Sequence, residues 1–325
     1  MTLPRILIPH PIHADGLARL AGRFTIDAPA KFDEARKREA FAAADAVIVR
    51  NIGIDGALMD AAPRLRVIAK HGAGVDNIDI RAATERGIVV ASVPGGNADA
   101  VAEGSVAMML AAIRQVPRVH DLVASGNYAA RWSLQYEQLV GRTLGLIGIG
   151  SIGARVARIC AAGFRMKVLA YDPGLSAAEV RERGGEKVDD LHDLLRRSDV
   201  VSLHPPYIPA THHIIGAAEL AAMKPTAMLV NAARGPLVDE AALVAALNEG
   251  RIAGAALDVF EVEPPPPDAP ILTAKNVVLS PHTAGNTVDA ARILACSSAD
   301  IALAVFAGEK PAGFLNPEVW DKRRA

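Results

Sequence analysis

Short apolar runs alternate along the chain with stretches of helical spacing. Residues 5–8, 24–26, 46–49, 66–69 and 88–91 are runs rich in Ile, Val and Leu, of the kind that suits strands buried on both faces. Between them, stretches such as 16–22 and 34–44 repeat apolar positions at helical intervals. The alternation predicts a doubly wound α/β unit with a parallel sheet over roughly residues 1–98. Residues 98–118 then read as one long amphipathic helix, with Val101, Val106, Met109, Leu110 and Ile113 on one side, crossing between domains. The Met108–Met109 pair reads as core, and Trp132, in the irregular stretch 117–141, as a packing anchor. A second set of apolar runs covers 143–147, 167–171, 200–203, a strand beginning at Met228, 253–258 and 277–282, with helical patterns at 177–183 and 189–197. A last helical pattern at 287–306 is expected to return to the first domain. The fold class expected is α/β with two doubly wound parallel-sheet domains. The first is discontinuous (1–98 plus 287–325), and the second (99–286) is inserted in it.

The chain has 325 residues, enough for two ordinary cores. It is 51% apolar and 22% charged, and its net charge of −1 gives no reason to expect nucleic acid or an anionic membrane as partner. Cys160 and Cys296 fall in helical patterns and read as small core residues, so a reducing, cytoplasmic setting is expected. No apolar run reads as long enough to span a membrane, residues 1–5 open directly into a strand, and no metal is expected.

The most informative stretch is 141–160. The strand pattern 143–147 runs into Gly148-x-Gly150-x-x-Gly153, and a helical pattern follows. The first glycine suits a tight turn, the second lets a pyrophosphate approach the backbone, and the third lets helix and strand pack closely. The unpaired N–H groups and positive dipole end of the helix then face the phosphates. The next strand ends in Asp172, an acid placed to accept hydrogen bonds from ribose hydroxyls and to repel a 2′-phosphate. Together these predict a dinucleotide site that takes NAD rather than NADP.

Other chemistry-bearing residues gather at strand ends. The glycine-rich loop 70–77 after the run 66–69 reads either as an ordinary βα turn or as a backbone cup for a carboxylate, and Lys70 and His71 as solvated side chains or ligands. His204, before a proline-rich loop, is a structural cap or a cofactor contact. Arg234 suits a two-pronged grip on a carboxylate. Asp258, Glu263 and His282 each have a bland reading as loop carboxylate or capped histidine. A carboxylate beside a histidine, however, fixes the ring's tautomer and makes an acid–base group usable near neutral pH. Arg234, Asp258 or Glu263, and His282 on one sheet edge point to a carboxylate-bearing substrate and proton transfer.

At these residues the whole chain resembles the D-isomer-specific 2-hydroxyacid dehydrogenases. The matching pieces are 72–76, 101–103, 144–153, His204-x-Pro206 with Thr211, 231–235, 257–264 and 280–282, in the family's order and spacing. The resemblance implies a Rossmann NAD-binding domain inserted in a flavodoxin-like substrate domain, with the active site between the domains. It implies hydride transfer between nicotinamide C4 and C2 of a small 2-keto or 2-hydroxy acid. Arg234 would bind the carboxylate and polarise the keto oxygen, His282 would exchange a proton with that oxygen, and Glu263 would hold and charge His282. Ser151 and Ile152 would cradle the pyrophosphate, and Asp258 would hold the nicotinamide carboxamide. Pro205, Ala232 and Gly285, with His204 and Thr211, would line the cofactor cleft. Backbone groups at Ala73–Gly74 would catch the substrate carboxylate.

Arg50 and Lys70 fall where phosphoglycerate dehydrogenases place basic residues near the substrate, whereas Leu134 stands where those enzymes often carry another. Phosphohydroxypyruvate and glyoxylate or hydroxypyruvate are therefore both expected substrates. Formate dehydrogenase activity is not expected, because that branch has glutamine in place of Glu263. The resemblance also implies a homodimer joined through the NAD-binding domains. A rival from another class is an NAD-sensing corepressor of the same fold, which keeps the same catalytic residues and separates from the enzyme by a turnover assay.

Overall fold

A computed structural model describes residues 2–324. The chain divides into two compact units. One runs to Asn97 and resumes at Asn286, and the other is Ala98–Gly285.

The first unit is built on five parallel strands, β1 (Arg5–Leu7), β2 (Thr25–Asp27), β3 (Ala46–Val49), β4 (Val67–Lys70) and β5 (Val89–Ala91), in the order β2-β1-β3-β4-β5. That is the flavodoxin-like order, which reverses between β1 and β3. β3 and β4 are buried along their whole length because helices cover both faces, which is why the sequence reads there as unbroken apolar runs. The helix Val288–Ala307, capped by the Thr287 side chain on Ala290 N–H, packs on this sheet and on the helix Ala14–Leu20. It corrects the expectation that no segment reaches membrane-spanning length, since it has 20 residues and a mean hydropathy of 1.6. Leu294, Ala295, Ala299, Ile301, Ala302 and Val305 are nonetheless buried in the unit, as in a core helix.

The second unit holds seven parallel strands: β6 (Thr143–Ile147), β7 (Lys167–Tyr171), β8 (Glu186–Lys187), β9 (Val200–Leu203), β10 (Met228–Asn231), β11 (Gly254–Leu257) and β12 (Val277–Leu279). Their order, β12-β11-β10-β9-β6-β7-β8, is the Rossmann order with one added strand, and it reverses between β6 and β9. β8 was not legible in the sequence; it is a two-residue edge strand of charged residues. Cys160 is buried on the helix Ser151–Phe164, where desolvation pushes its thiol up to about 12, and both cysteines are free.

Two expectations are corrected in this unit. The stretch 98–118 is not one helix: Ala98–Ile113 ends, Gln115 turns left-handed (φ 47°), and Val116–Ala124 begins. Pro117 is the reason. Inside a continuous helix its ring would strike the carbonyl of Ile113, whereas near a helix start its missing N–H costs nothing. Trp132 is no packing anchor within its unit. It is 81% exposed, with the Arg131 guanidinium 4.3 Å from its ring centre.

Candidate active site

The sheet of the second unit carries its chemistry at the carboxyl ends of its strands. β6 runs into Gly148, whose φ of 82° suits a residue without a side chain. A Cβ at Gly148 would lie 2.8 Å from the Pro205 nitrogen, and one at Gly153 would lie 2.4 Å from the Gly148 carbonyl oxygen. The glycines therefore let the loop after β6 press against both its own helix and the His204–Pro205 segment after β9. These two loops straddle the point where the strand order reverses, the usual ligand position in an open α/β sheet. At Gly150, the cap of the helix Ser151–Phe164, a Cβ would meet no atom within 4 Å, and no side chain caps the helix. The first-turn amides of Ser151, Ile152 and Gly153 thus have no side-chain cap, at a positive dipole end with room beside Gly150, a cradle that fits a pyrophosphate.

Asp172 directly follows β7 beside this loop. One carboxylate oxygen accepts the Ile149 N–H (3.1 Å) and the other the Gly174 N–H (3.1 Å), so the acid is oriented by the fingerprint itself. The His204 ring lies 2.9 Å from the buried Ser202 hydroxyl, and desolvation pushes it down to about 4, which keeps it neutral. Thr211 closes the proline-rich loop, accepting from Ile208 N–H and donating to the Pro206 carbonyl.

On the other side of the sheet, β10 ends in the buried Asn231. Its side chain donates to the Arg234 carbonyl (2.9 Å) and accepts the Ala233 N–H (3.1 Å), so the 231–234 turn is cross-braced and Ala232 sits within it. Gly235 carries this turn onto the loop after β11, where a Cβ would fall 1.8 Å from the Phe260 carbonyl oxygen. Only glycine permits that approach, and it sets Arg234 close enough to Glu263 for its charge to act on that carboxyl. The Glu263 Oε1 accepts the Phe260 N–H at 3.1 Å, and its Oε2 lies 2.7 Å from His282 Nδ1. Burial pushes the Glu263 carboxyl up. The hydrogen bond and charge of His282, the Phe260 N–H and Arg234 outweigh that and hold it below the usual carboxylate range.

His282 itself has φ 54°, a left-handed conformation uncommon for a residue with a side chain. Asp258 holds it there. The Asp258 carbonyl accepts the His282 N–H (2.7 Å), and its carboxylate accepts the Thr283 and Ala284 N–H groups (2.8 and 2.9 Å). Asp258 is 1% exposed with both carboxylate oxygens engaged, so within the fold it braces the turn that presents His282 and leads to Gly285. The family resemblance implies a carboxamide contact for Asp258; neither this brace nor the one made by Asn231 is legible in the sequence.

The substrate-side candidates lie in the first unit. Lys70 is buried. Its ammonium donates to the Arg50 carbonyl and, at 2.8 Å, to Asn77 Oδ1. Asn77 in turn donates to the Arg50 and Ile52 carbonyls, the latter at 2.5 Å. Lys70 thus ties the loop after β4 to the loop after β3, while Ala73 is exposed and Gly74 half-buried at the loop's outer turn.

Residues 106–284 match the model of the D-isomer specific 2-hydroxyacid dehydrogenase NAD-binding domain. A glyoxylate reductase of Korarchaeum cryptofilum is 40% identical over 324 residues, covering 97% of each chain. A D-3-phosphoglycerate dehydrogenase of Methanocaldococcus jannaschii is 38% identical over 96% of this chain, which spans only 59% of that protein's length. Among solved structures, the NADPH-dependent glyoxylate/hydroxypyruvate reductase of Sinorhizobium meliloti in complex with NADP and malonate superposes with a TM-score of 0.85, at 31% identity and full coverage of both chains. Fingerprint, strand order and relatives agree on a nicotinamide-dinucleotide-binding fold, and the chain belongs to the D-isomer specific 2-hydroxyacid dehydrogenase family.

Proposed function

We propose that this protein is an NAD-dependent oxidoreductase acting on small 2-keto and 2-hydroxy acids of the D series. The observation that carries the reading is the Glu263–His282 pair, with Arg234 acting on Glu263, on the sheet edge that also bears the dinucleotide fingerprint. When bound, the nicotinamide supplies or accepts the hydride at C4.

The residues divide the remaining work. Arg234 binds the substrate carboxylate and polarises the keto oxygen. His282 has Nδ1 turned to Glu263, which leaves Nε2 to give a proton to the keto oxygen in reduction and to take it back in oxidation. Glu263, ionised across neutral pH, fixes the ring and stabilises a positive charge on it. Gly148, Gly150, Ser151, Ile152 and Gly153 hold the pyrophosphate. His204, Pro205, Thr211, Ala232 and Gly285 line the cofactor cleft, and Asp258 positions the His282 turn. Asp172 takes the adenosine ribose and selects NAD over NADP, in contrast to the NADPH-dependent Sinorhizobium enzyme.

The first unit serves substrate recognition through the Ala73–Gly74 backbone and Arg50. Both glyoxylate reductases and phosphoglycerate dehydrogenases are relatives. The engagement of the Lys70 ammonium with the Arg50 carbonyl and Asn77 favours the unphosphorylated acids, because it occupies N–H donors that a phosphate would use. A homodimer joined through the second unit is supported by the apolar side chains exposed along 116–140, namely Val116, Val123, Tyr128, Trp132 and Val140. The free cysteines suit a cytoplasmic setting. NADH oxidation in the presence of glyoxylate or hydroxypyruvate tests the reading. Tight NADH binding without turnover of either acid would favour an NAD sensor instead.

A further inference from the structure

We propose that His10, Arg50 and His71 form a recognition cluster for an uncharged, hydroxyl-bearing third carbon of the keto acid, so that hydroxypyruvate is preferred over glyoxylate and over phosphorylated acids. The proposal rests on the reading of the protein as a 2-hydroxyacid dehydrogenase. His10, Arg50 and His71 lie just past the carboxyl ends of β1, β3 and β4, which are three adjacent strands. They straddle the reversal of strand order between β1 and β3, the place where open α/β sheets take ligands.

One orphaned ring and one orphaned ring nitrogen point to a ligand there. His71 is 7% exposed, and neither ring nitrogen has a hydrogen-bond partner. Nδ1 of His10 is likewise buried without a partner. Buried polar atoms are ordinarily satisfied, and the fold recovers nothing for these. Both rings are held neutral. Burial first, and then the Arg50 guanidinium, push His71 down to about 4, and the same two causes lower His10 against a smaller opposing effect of Glu34. A neutral imidazole offers one donor and one acceptor, the complement of a hydroxyl. A phosphate dianion would need a cluster of charge-assisted donors. Among the cations here, Arg50 donates to Asn286 Oδ1 (3.3 Å), while Lys70 donates to the Arg50 carbonyl and to Asn77 Oδ1.

The test is the ratio of kcat/KM for hydroxypyruvate to that for glyoxylate, which lacks the third carbon, with phosphohydroxypyruvate alongside. His71→Leu fills a similar volume without polar atoms, so the thermal midpoint is expected to hold or rise while the ratio falls about ten-fold or more. His71→Asn, which keeps a neutral donor and acceptor, should retain most of the ratio. Should His71→Leu not fold, His10→Leu reads the same ratio and is expected to lower it. An unchanged ratio, equal losses on the two acids, or a wild-type preference for the phosphorylated acid would overturn the proposal while leaving the dehydrogenase reading intact. A wild-type enzyme that reduces none of the three acids would overturn both.

Discussion

Asp258 and His282 are joined by a backbone hydrogen bond of 2.7 Å, while the Asp258 carboxylate accepts the next two amides beyond the histidine. A buried acid at the end of β11 thus fixes the left-handed backbone of the proposed proton donor. Glu263, on the loop that follows, then reaches the ring.

Glu263→Gln keeps the size of the side chain and a hydrogen bond, and removes the charge. In the folded protein the Glu263 carboxyl lies below its usual range, so it is ionised above about pH 4.5. Its charge is therefore present throughout the working range and is lost only as pH falls through the lowered value. Reduction needs a protonated donor, so removing the charge should move the alkaline limb of the pH–rate profile to lower pH. An unmoved limb would mean that Glu263 acts through shape alone.

Asp172→Ala should narrow the preference for NADH over NADPH by about ten-fold, because it removes the repulsion of a 2′-phosphate. The mutation also frees the Ile149 and Gly174 amides, so a smaller loss in affinity for both cofactors is expected. Fluorescence titration with each cofactor reads both effects, and an unchanged ratio would move cofactor choice to another residue.

Gly235→Ala should destabilise the protein by about 3 kcal/mol in urea titration and lower kcat. The new methyl would meet the Phe260 backbone, which cannot yield without displacing the Glu263 loop from Arg234. A variant of wild-type stability and activity would show that the 234–235 turn has room the present packing lacks.

Much of this was legible in the sequence because parallel strands buried on both faces print themselves as apolar runs, and their last residues locate the sheet edge. The places of Gly148, Gly150, Gly153, Asp172, Arg234 and His282 at or just past strand ends, and of Glu263 on the loop after Asp258, could be read this way. The break at Gln115 was missed because the apolar spacing continues through it, although Pro117 was its signal. The two-residue edge strand β8 has no room for a pattern. The exposure of Trp132 is a tertiary outcome that no local rule gives. Asn231 and Asp258 read as polar strand ends, and their work as braces depends on amides that the fold brings within reach. The neutral, unpartnered His71 could not be told from a solvated loop residue without its surroundings.

The most direct test of the account is His282→Asn, assayed for turnover of glyoxylate and hydroxypyruvate with NADH and, separately, for NADH binding. If His282 is the proton donor, kcat falls about 10²- to 10⁴-fold while the Kd for NADH stays near that of the wild type. A kcat within a few-fold of wild type, or a matching loss of NADH affinity, would contradict it.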